Sequence, residues 1–273
     1  MPFLNIEGHR IFYREAGRGR PLFLLHGVAG ASGFWSGTLE ALSPYFRCLA
    51  PDLLGFGDSD KPKIDYAIAR HRGILKAMAR ALRIDTFDLI GHSMGGTIAL
   101  DFALSFPGQV RRLILINTPI SGKRALHGRG RLGATRLGLA AVKVGLEIPW
   151  VLWVLRQWPR YNFVLDPRFT ADARKAPLYS LKSHVKVLCQ TDLSGRLHEV
   201  SVPVMVMGSD EDGIVRPDEF VLAAGEIRDA KAVWIGGVGH CPTLEKPEES
   251  HRAILDYLMG DVSPKTSAAG ESE

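Results

Sequence analysis

Short apolar runs alternate with longer segments of helical periodicity along most of this chain, and that alternation limits its fold more than any other feature. "PLFLLHG" (21–27), "FRCLAPD" (46–52), "FDLIG" (87–91), "VRRLILINTP" (110–119), "VPVMVMGSD" (202–210) and "KAVWIGG" (231–237) are nearly unbroken apolar runs. All six read as strands, and the first two as buried parallel strands. Between them lie helical patterns. "YAIARHRGILKAMARALRI" (66–84) places Leu75, Met78 and Leu82 on one face, and "GGTIALDFALSFP" (95–107) is stopped by Pro107. "PDEFVLAAGEI" (217–227) and "PEESHRAILDYLMG" (247–260) complete the set. Strand followed by helix followed by strand requires crossover connections. The expected class is therefore α/β, a mostly parallel central sheet flanked by helices on both faces. An opening hairpin is expected from the period-two stretch "LNIEGHRIFYREAG" (4–17).

The alternation breaks off between about residues 120 and 200 and then resumes. This predicts one core, 1–119 with 201–260, carrying an inserted helical cap or lid over 120–200. The small, polar segment 261–273 is expected to be disordered. The charge follows the same division. Of 34 basic and 29 acidic residues in the chain, fourteen basic and five acidic fall between Ile120 and Val200. That segment is +9 and the remainder is −4, within a total of +5. Ligands of open α/β sheets bind beyond the carboxyl ends of the strands. A segment leaving from such an end would cover the site.

Composition narrows the classes further. Cys48, Cys189 and Cys241 have no paired spacing, and nine histidines are scattered without metal-ligand spacing. No disulfide framework or metal centre is expected, and a reducing cytoplasm is the expected location. The opening residues lack the apolar core of a signal peptide. The stretch from Arg136 to Leu165 crowds Trp150, Trp153, Leu155 and Trp158 between prolines. It is too broken and charged to span a bilayer. It reads either as a greasy lid over an acyl pocket, with a basic face compatible with anionic membrane, or as a helix packed on the core with its arginines in water. The positive surplus also suits an anionic substrate such as a CoA thioester. Nucleic-acid binding is not expected, because the basic residues are interleaved with apolar ones and no recognition motif accompanies them.

Gly91-His92-Ser93-Met94-Gly95 sits where a strand gives way to a helix. This G-x-S-x-G arrangement needs glycines because side chains at 91 or 95 would strike neighbouring backbone. The serine is then held in a strained turn with its hydroxyl presented. The competing reading is a helix-capping serine in a glycine-rich turn. A serine hydroxyl needs a base within reach, and the base needs an orienting carboxylate. His240, in the glycine-rich loop "WIGGVGHCP", is the candidate base. Asp212 is the favoured acid, with Asp210 as the alternative two residues earlier.

These pieces together resemble the α/β-hydrolase superfamily, specifically its lid-bearing serine esterase or lipase-like branch. The resemblance rests on "LLHGVAGASGFW", "APDLLGFGDSDKP", "IGHSMGG", "SFPGQVRRLILIN", "VPVMVMGSDEDGIVRP" and "GVGHCPTLEKPEE", in that order. It implies catalysis by Ser93, His240 and Asp212, the last because Asp212-Gly213-Ile214-Val215 matches the family's Asp-x-(Ile/Val)-Val pattern. It also implies an oxyanion hole from the backbone N–H groups of Val28 and Met94. His26 and the "DLLGFGDSD" segment are expected to shape loops rather than react. No cofactor is expected. The expected activity is hydrolysis of an apolar carboxylic ester through an acyl-enzyme. Carbon–carbon bond hydrolysis and haloperoxidase-like chemistry are alternatives within the fold, and a non-turnover receptor for a small ligand is the alternative outside catalysis. No obligate protein partner is implied.

Overall fold

The computed structural model describes residues 2–126 and 167–260. Eight strands form one sheet: β1 (Phe3–Ile6), β2 (His9–Ala16), β3 (Arg20–Leu25), β4 (Phe46–Pro51), β5 (Phe87–His92), β6 (Val110–Ile116), β7 (Val204–Ser209) and β8 (Lys231–Ile235). Their spatial order is β1-β2-β4-β3-β5-β6-β7-β8. β1 and β2 form the expected antiparallel hairpin, and β2 also pairs antiparallel with β4. Every pairing from β4 across to β8 is parallel. The described helices are α1 (Ser36–Leu42), α2 (Ile68–Ala81), α3 (Met94–Ser105), α4 (Pro167–Lys175), α5 (Leu178–Gln190), α6 (Pro217–Glu226), α7 (Pro242–Glu245) and α8 (Pro247–Met259).

The period of two along each strand sends alternate side chains into two cores. Phe23, Leu25, Leu89, Leu113, Leu115 and Val206 pack with Leu75 and Met78 of α2 and Ile98 and Phe102 of α3. Leu22, Leu24, Ile90, Ile114, Met205 and Met207 pack on the other face with Leu39 and Leu42 of α1 and Ile254 and Leu258 of α8. The central runs read as uniformly apolar because both of their faces are covered. Leu75 and Met78 point inward as their spacing requires, and Leu82 packs against the same core from just beyond the helix end. The short helix α1 was not apparent from the pattern: seven residues give too few turns for a periodic signal.

The segment that departs after β6 returns to the sheet at β7. Its two described ends meet at the base. Leu193 donates its N–H to the Ile120 carbonyl at 2.9 Å, and Ser121 and Asp192 form an isolated bridge. Glu219 of α6 accepts from the Ile120 N–H at 2.6 Å, from the Ser121 N–H at 2.8 Å and from the Ser121 hydroxyl. α5 lies against the core through Leu181, Val187 and Leu188. His184 of α5 stacks on Tyr66 at 4.2 Å and meets His71 of α2 at 3.0 Å between their Nε2 atoms. The tryptophan-rich stretch with Trp150, Trp153, Leu155 and Trp158, and the tail 261–273, lie outside the described residues. No helix among the described residues is long and apolar enough to cross a membrane, and they contain no His/Cys/Asp/Glu cluster suited to a metal ion.

Candidate active site

The β5–α3 junction is as tight as the glycine spacing requires. Ser93 has φ +54° and ψ −125°, a conformation that side chains rarely adopt, and it is buried. A Cβ at Gly91 would collide with the Gly95 carbonyl, one at Gly95 with the Leu25 carbonyl, and one at Gly96 with Thr118. Ser93 is fixed through its backbone: its N–H donates to the Ile116 carbonyl at 2.9 Å, and its carbonyl accepts the Gly96 N–H at 2.8 Å. Those contacts hold the turn in register with β6 and open α3.

Gly27 follows β3 and borders the serine directly. A Cβ there would lie 2.9 Å from the Ser93 Cβ and 3.4 Å from its Oγ. The next residue, Val28, is half-buried, and Ala29 has φ +63°. The amides of Val28 and Met94 have no acceptor among the described residues. For Met94 this follows from its place in the first helical turn, where N–H groups lack intrahelical partners and the helix dipole favours negative charge. His26 braces the Val28 loop. Its Nδ1–H donates to the Gly27 carbonyl at 2.7 Å, and its Nε2 accepts the Leu53 N–H at 2.9 Å. Burial lowers the His26 pKa against the opposing pull of Asp52, so the ring stays neutral. Asp52 in turn accepts the Ser32 N–H at 2.6 Å and the Asp58 N–H at 2.7 Å. The "DLLGFGDSD" segment thus closes a turn that supports this loop.

The loop after β8 carries His240, and the loop after β7 carries the acids. His240 Nδ1 lies 2.8 Å from Asp212 Oδ2, with both side chains almost fully buried. Asp212 Oδ1 accepts the Ile214 N–H at 2.8 Å and the Val215 N–H at 3.0 Å. Burial by itself would raise the Asp212 pKa. The His240 imidazole and the two amides outweigh it and hold the carboxyl below its ordinary value. Asp210 points elsewhere. Its Oδ1 accepts the Gly237 N–H at 2.7 Å and the Val238 N–H at 3.4 Å, and those amides lower its pKa. Of the two candidate acids, Asp212 is the one paired with His240, while Asp210 closes the loop that carries it.

Sequence reading missed two buried polar residues. His92, inside the glycine–serine motif, donates from Nε2 to the His240 carbonyl at 2.8 Å. Asn117, just after β6, has φ +42° and donates from Nδ2 to the same carbonyl at 3.0 Å and to the Ser209 hydroxyl at 2.7 Å. Neither has a signature separable from that of an ordinary buried polar residue, because their partners lie 148 and 123 positions away.

Comparison with known proteins agrees with this architecture. A family model described as the alpha/beta hydrolase fold matches residues 20–131. An uncharacterized Mycobacterium tuberculosis protein is 39% identical over 117 residues, which are 43% of this chain and 34% of that protein. The alignment therefore spans about a third of the mycobacterial relative's length. A 2-hydroxy-6-oxo-6-phenylhexa-2,4-dienoate hydrolase from Burkholderia cepacia is 28% identical, with 93% of each chain covered. A thermophilic esterase from Thermogutta terrifontis superposes with a TM-score of 0.77 at 25% identity, covering 95% of this chain and 98% of that one. The sheet order, the strained serine turn and these matches give the chain the α/β-hydrolase fold.

Proposed function

We propose that this chain is a serine hydrolase that cleaves an apolar carboxylic ester, or a related acyl compound, through an acyl-enzyme on Ser93. The observation that carries the reading is the 2.8 Å pairing of buried His240 Nδ1 with Asp212. That bond puts the proton on Nδ1 and the basic lone pair on Nε2, the tautomer a serine nucleophile requires. As the Ser93 hydroxyl attacks the carbonyl carbon, His240 takes its proton and Asp212 stabilises the resulting imidazolium. The N–H groups of Val28 and Met94 receive the charge on the carbonyl oxygen, each such donor being worth on the order of 3 kcal/mol of barrier. His240 then protonates the departing alkoxide. A water deprotonated by the same imidazole cleaves the acyl-enzyme and restores the serine.

In this reading the segment between β6 and β7 is a cap over the strand ends, its basic, apolar character suiting an acyl chain. A second reading has specific support. The dienoate hydrolase matched over 93% of this chain is named for a 6-oxo dienoate, whose hydrolysis breaks a carbon–carbon bond. The same serine, base and oxyanion donors serve attack on such a ketone.

The test is turnover of p-nitrophenyl esters of increasing acyl length, and of a vinylogous 1,5-diketone, by the wild-type chain and Ser93→Ala. A fluorophosphonate probe follows the same serine. Ester turnover lost in Ser93→Ala supports the proposal. Diketone cleavage without ester cleavage favours the second reading. Stoichiometric ligand binding with no turnover and no labelling would make the chain a receptor.

A further inference from the structure

The loop that carries His240 is intrinsically loose. It runs from Gly236 to Cys241 and includes Gly236, Gly237 and Gly239, and Gly237 has φ +66°. A base on such a loop reaches one orientation only if the backbone is pinned. Several pins hold the flanks: Glu245 accepts the N–H groups of Gly239 at 2.8 Å and Cys241 at 3.0 Å, and the Val238 carbonyl accepts the Glu211 N–H at 3.0 Å. The carbonyl of residue 240 itself is held by two side chains from other strands.

Those two are His92 and Asn117. A carbonyl oxygen can only accept, so His92 must present its proton on Nε2, and Asn117 must turn its NH2 group toward the loop. The assignment is over-determined for Asn117. Its Nδ2 also lies 2.7 Å from the Ser209 hydroxyl and 3.3 Å from the Gly239 carbonyl, and the Ser209 hydroxyl donates to that same carbonyl. The chain segments that end β5, follow β6 and follow β8 are thereby joined through one oxygen, and Ser209 at the end of β7 ties in through Asn117 and the Gly239 carbonyl. His92 is bonded covalently to Ser93, and Ser209 opens the loop that reaches Asp212. The His92 ring is stacked on Phe34 at 4.7 Å and 20°, which fixes the direction of its donor. Burial drives its pKa down to about 3, so it stays neutral through the ordinary pH range.

We propose that His92 and Asn117 are positioning residues: by donating to the main-chain carbonyl of His240, they lock the imidazole in register with the serine turn. The inference rests on the proposed roles of Ser93 and His240. Displacing a reacting group by about an ångström costs up to about 10²-fold in rate, while leaving the substrate pocket in place.

The test compares two replacements of His92. His92→Gln carries an amide N–H at nearly the reach of Nε2. His92→Phe keeps a ring against Phe34 and removes the donor. A second, independent site is Asn117→Asp, which has the same shape and tolerates positive φ but offers only acceptors. Each is measured for kcat and KM on a p-nitrophenyl ester, for the rate of fluorophosphonate labelling and for Tm, well below the melting transition. His92→Phe and Asn117→Asp are expected to lower kcat and the labelling rate by about 10- to 100-fold with KM within about twofold. His92→Gln is expected to recover most of that loss. Unimpaired kcat in His92→Phe, or equal losses in His92→Phe and His92→Gln, would overturn the inference. If His92→Phe does not fold, an Asn117→Asp variant that keeps full kcat overturns it alone. A wild-type chain that neither turns over nor labels overturns the hydrolase proposal itself, and this inference with it.

Discussion

His240 and Asp212 are joined by a 2.8 Å contact between Nδ1 and Oδ2, whereas Asp210, two residues earlier, gives its carboxylate to the amides of Gly237 and Val238. The two aspartates are chemically alike and serve one loop in different ways. One faces the ring, the other the backbone.

Replacing each aspartate by asparagine separates these duties. Asp212→Asn should lower kcat on the order of 10⁴-fold, because the amide no longer holds the imidazole in the required tautomer. Asp210→Asn retains an acceptor for Gly237 and should stay within about tenfold of wild type. Steady-state kinetics on one ester decide it, and a larger loss at 210 would reverse the assignment.

Gly27 predicts a loss of activity that stability does not match. The Cβ of Gly27→Ala would sit 2.9 Å from the Ser93 Cβ and 3.4 Å from its hydroxyl, so the serine must shift. The expected result is at least about a tenfold slower reaction with a fluorophosphonate, with overpacking costing about 1–3 kcal/mol. Labelling at the wild-type rate would show that the turn absorbs the methyl group without moving Ser93.

Glu219 predicts the opposite balance. It accepts three hydrogen bonds where the segment after β6 departs, and it is buried. Glu219→Ala leaves two buried amides without an acceptor, each costing about 1–3 kcal/mol. Urea unfolding should show a lower midpoint and a loss of unfolding free energy of that order, and an unchanged midpoint would mean that the site refills with water at little cost.

Acid stability should carry the mark of the buried histidines. His92 and His184 are held down to about 3, chiefly by burial, and His71 is lowered well below its ordinary value by burial and by His184. The unfolded chain binds protons at these groups below about 6.5 that the folded chain refuses. Their neutral burial is therefore tolerated at neutral pH, and stability falls as the pH drops from about 6.5 toward 3. Each group steepens that fall by up to about 1.4 kcal/mol per pH unit. His184→Gln removes one such proton and should flatten the slope of stability against pH by about that amount. Equilibrium unfolding measured between pH 4 and pH 7 provides the comparison, with an unaltered slope counting against the assignment.

Much of this protein was written in local patterns. The runs at 21–27, 46–52, 87–91, 110–119, 202–210 and 231–237 became β3 to β8; the inner strands are covered on both faces, which leaves a continuous apolar signal, whereas β8 lies at the sheet edge with Lys231, Ala232 and Trp234 exposed. The Ser93 turn was legible because its glycine spacing is local: a side chain at Gly91 would meet the Gly95 carbonyl four residues on, although Gly95 itself is kept small by the distant Leu25 carbonyl. The basic surplus of the middle segment was equally plain, since charge needs no fold to be counted.

Tertiary structure alone decided which carboxylate meets the imidazole and what holds the loop of the imidazole in place. The Asp-x-(Ile/Val)-Val pattern favours Asp212 over Asp210 without showing what either carboxylate touches, and nothing local marks His92 and Asn117 as donors to one carbonyl more than a hundred positions away in the chain. Hydrogen bonds act over about 3 Å and depend on direction. Their partners are therefore chosen by how the ends of β5, β6, β7 and β8 come side by side, a relation that appears only once the sheet is assembled.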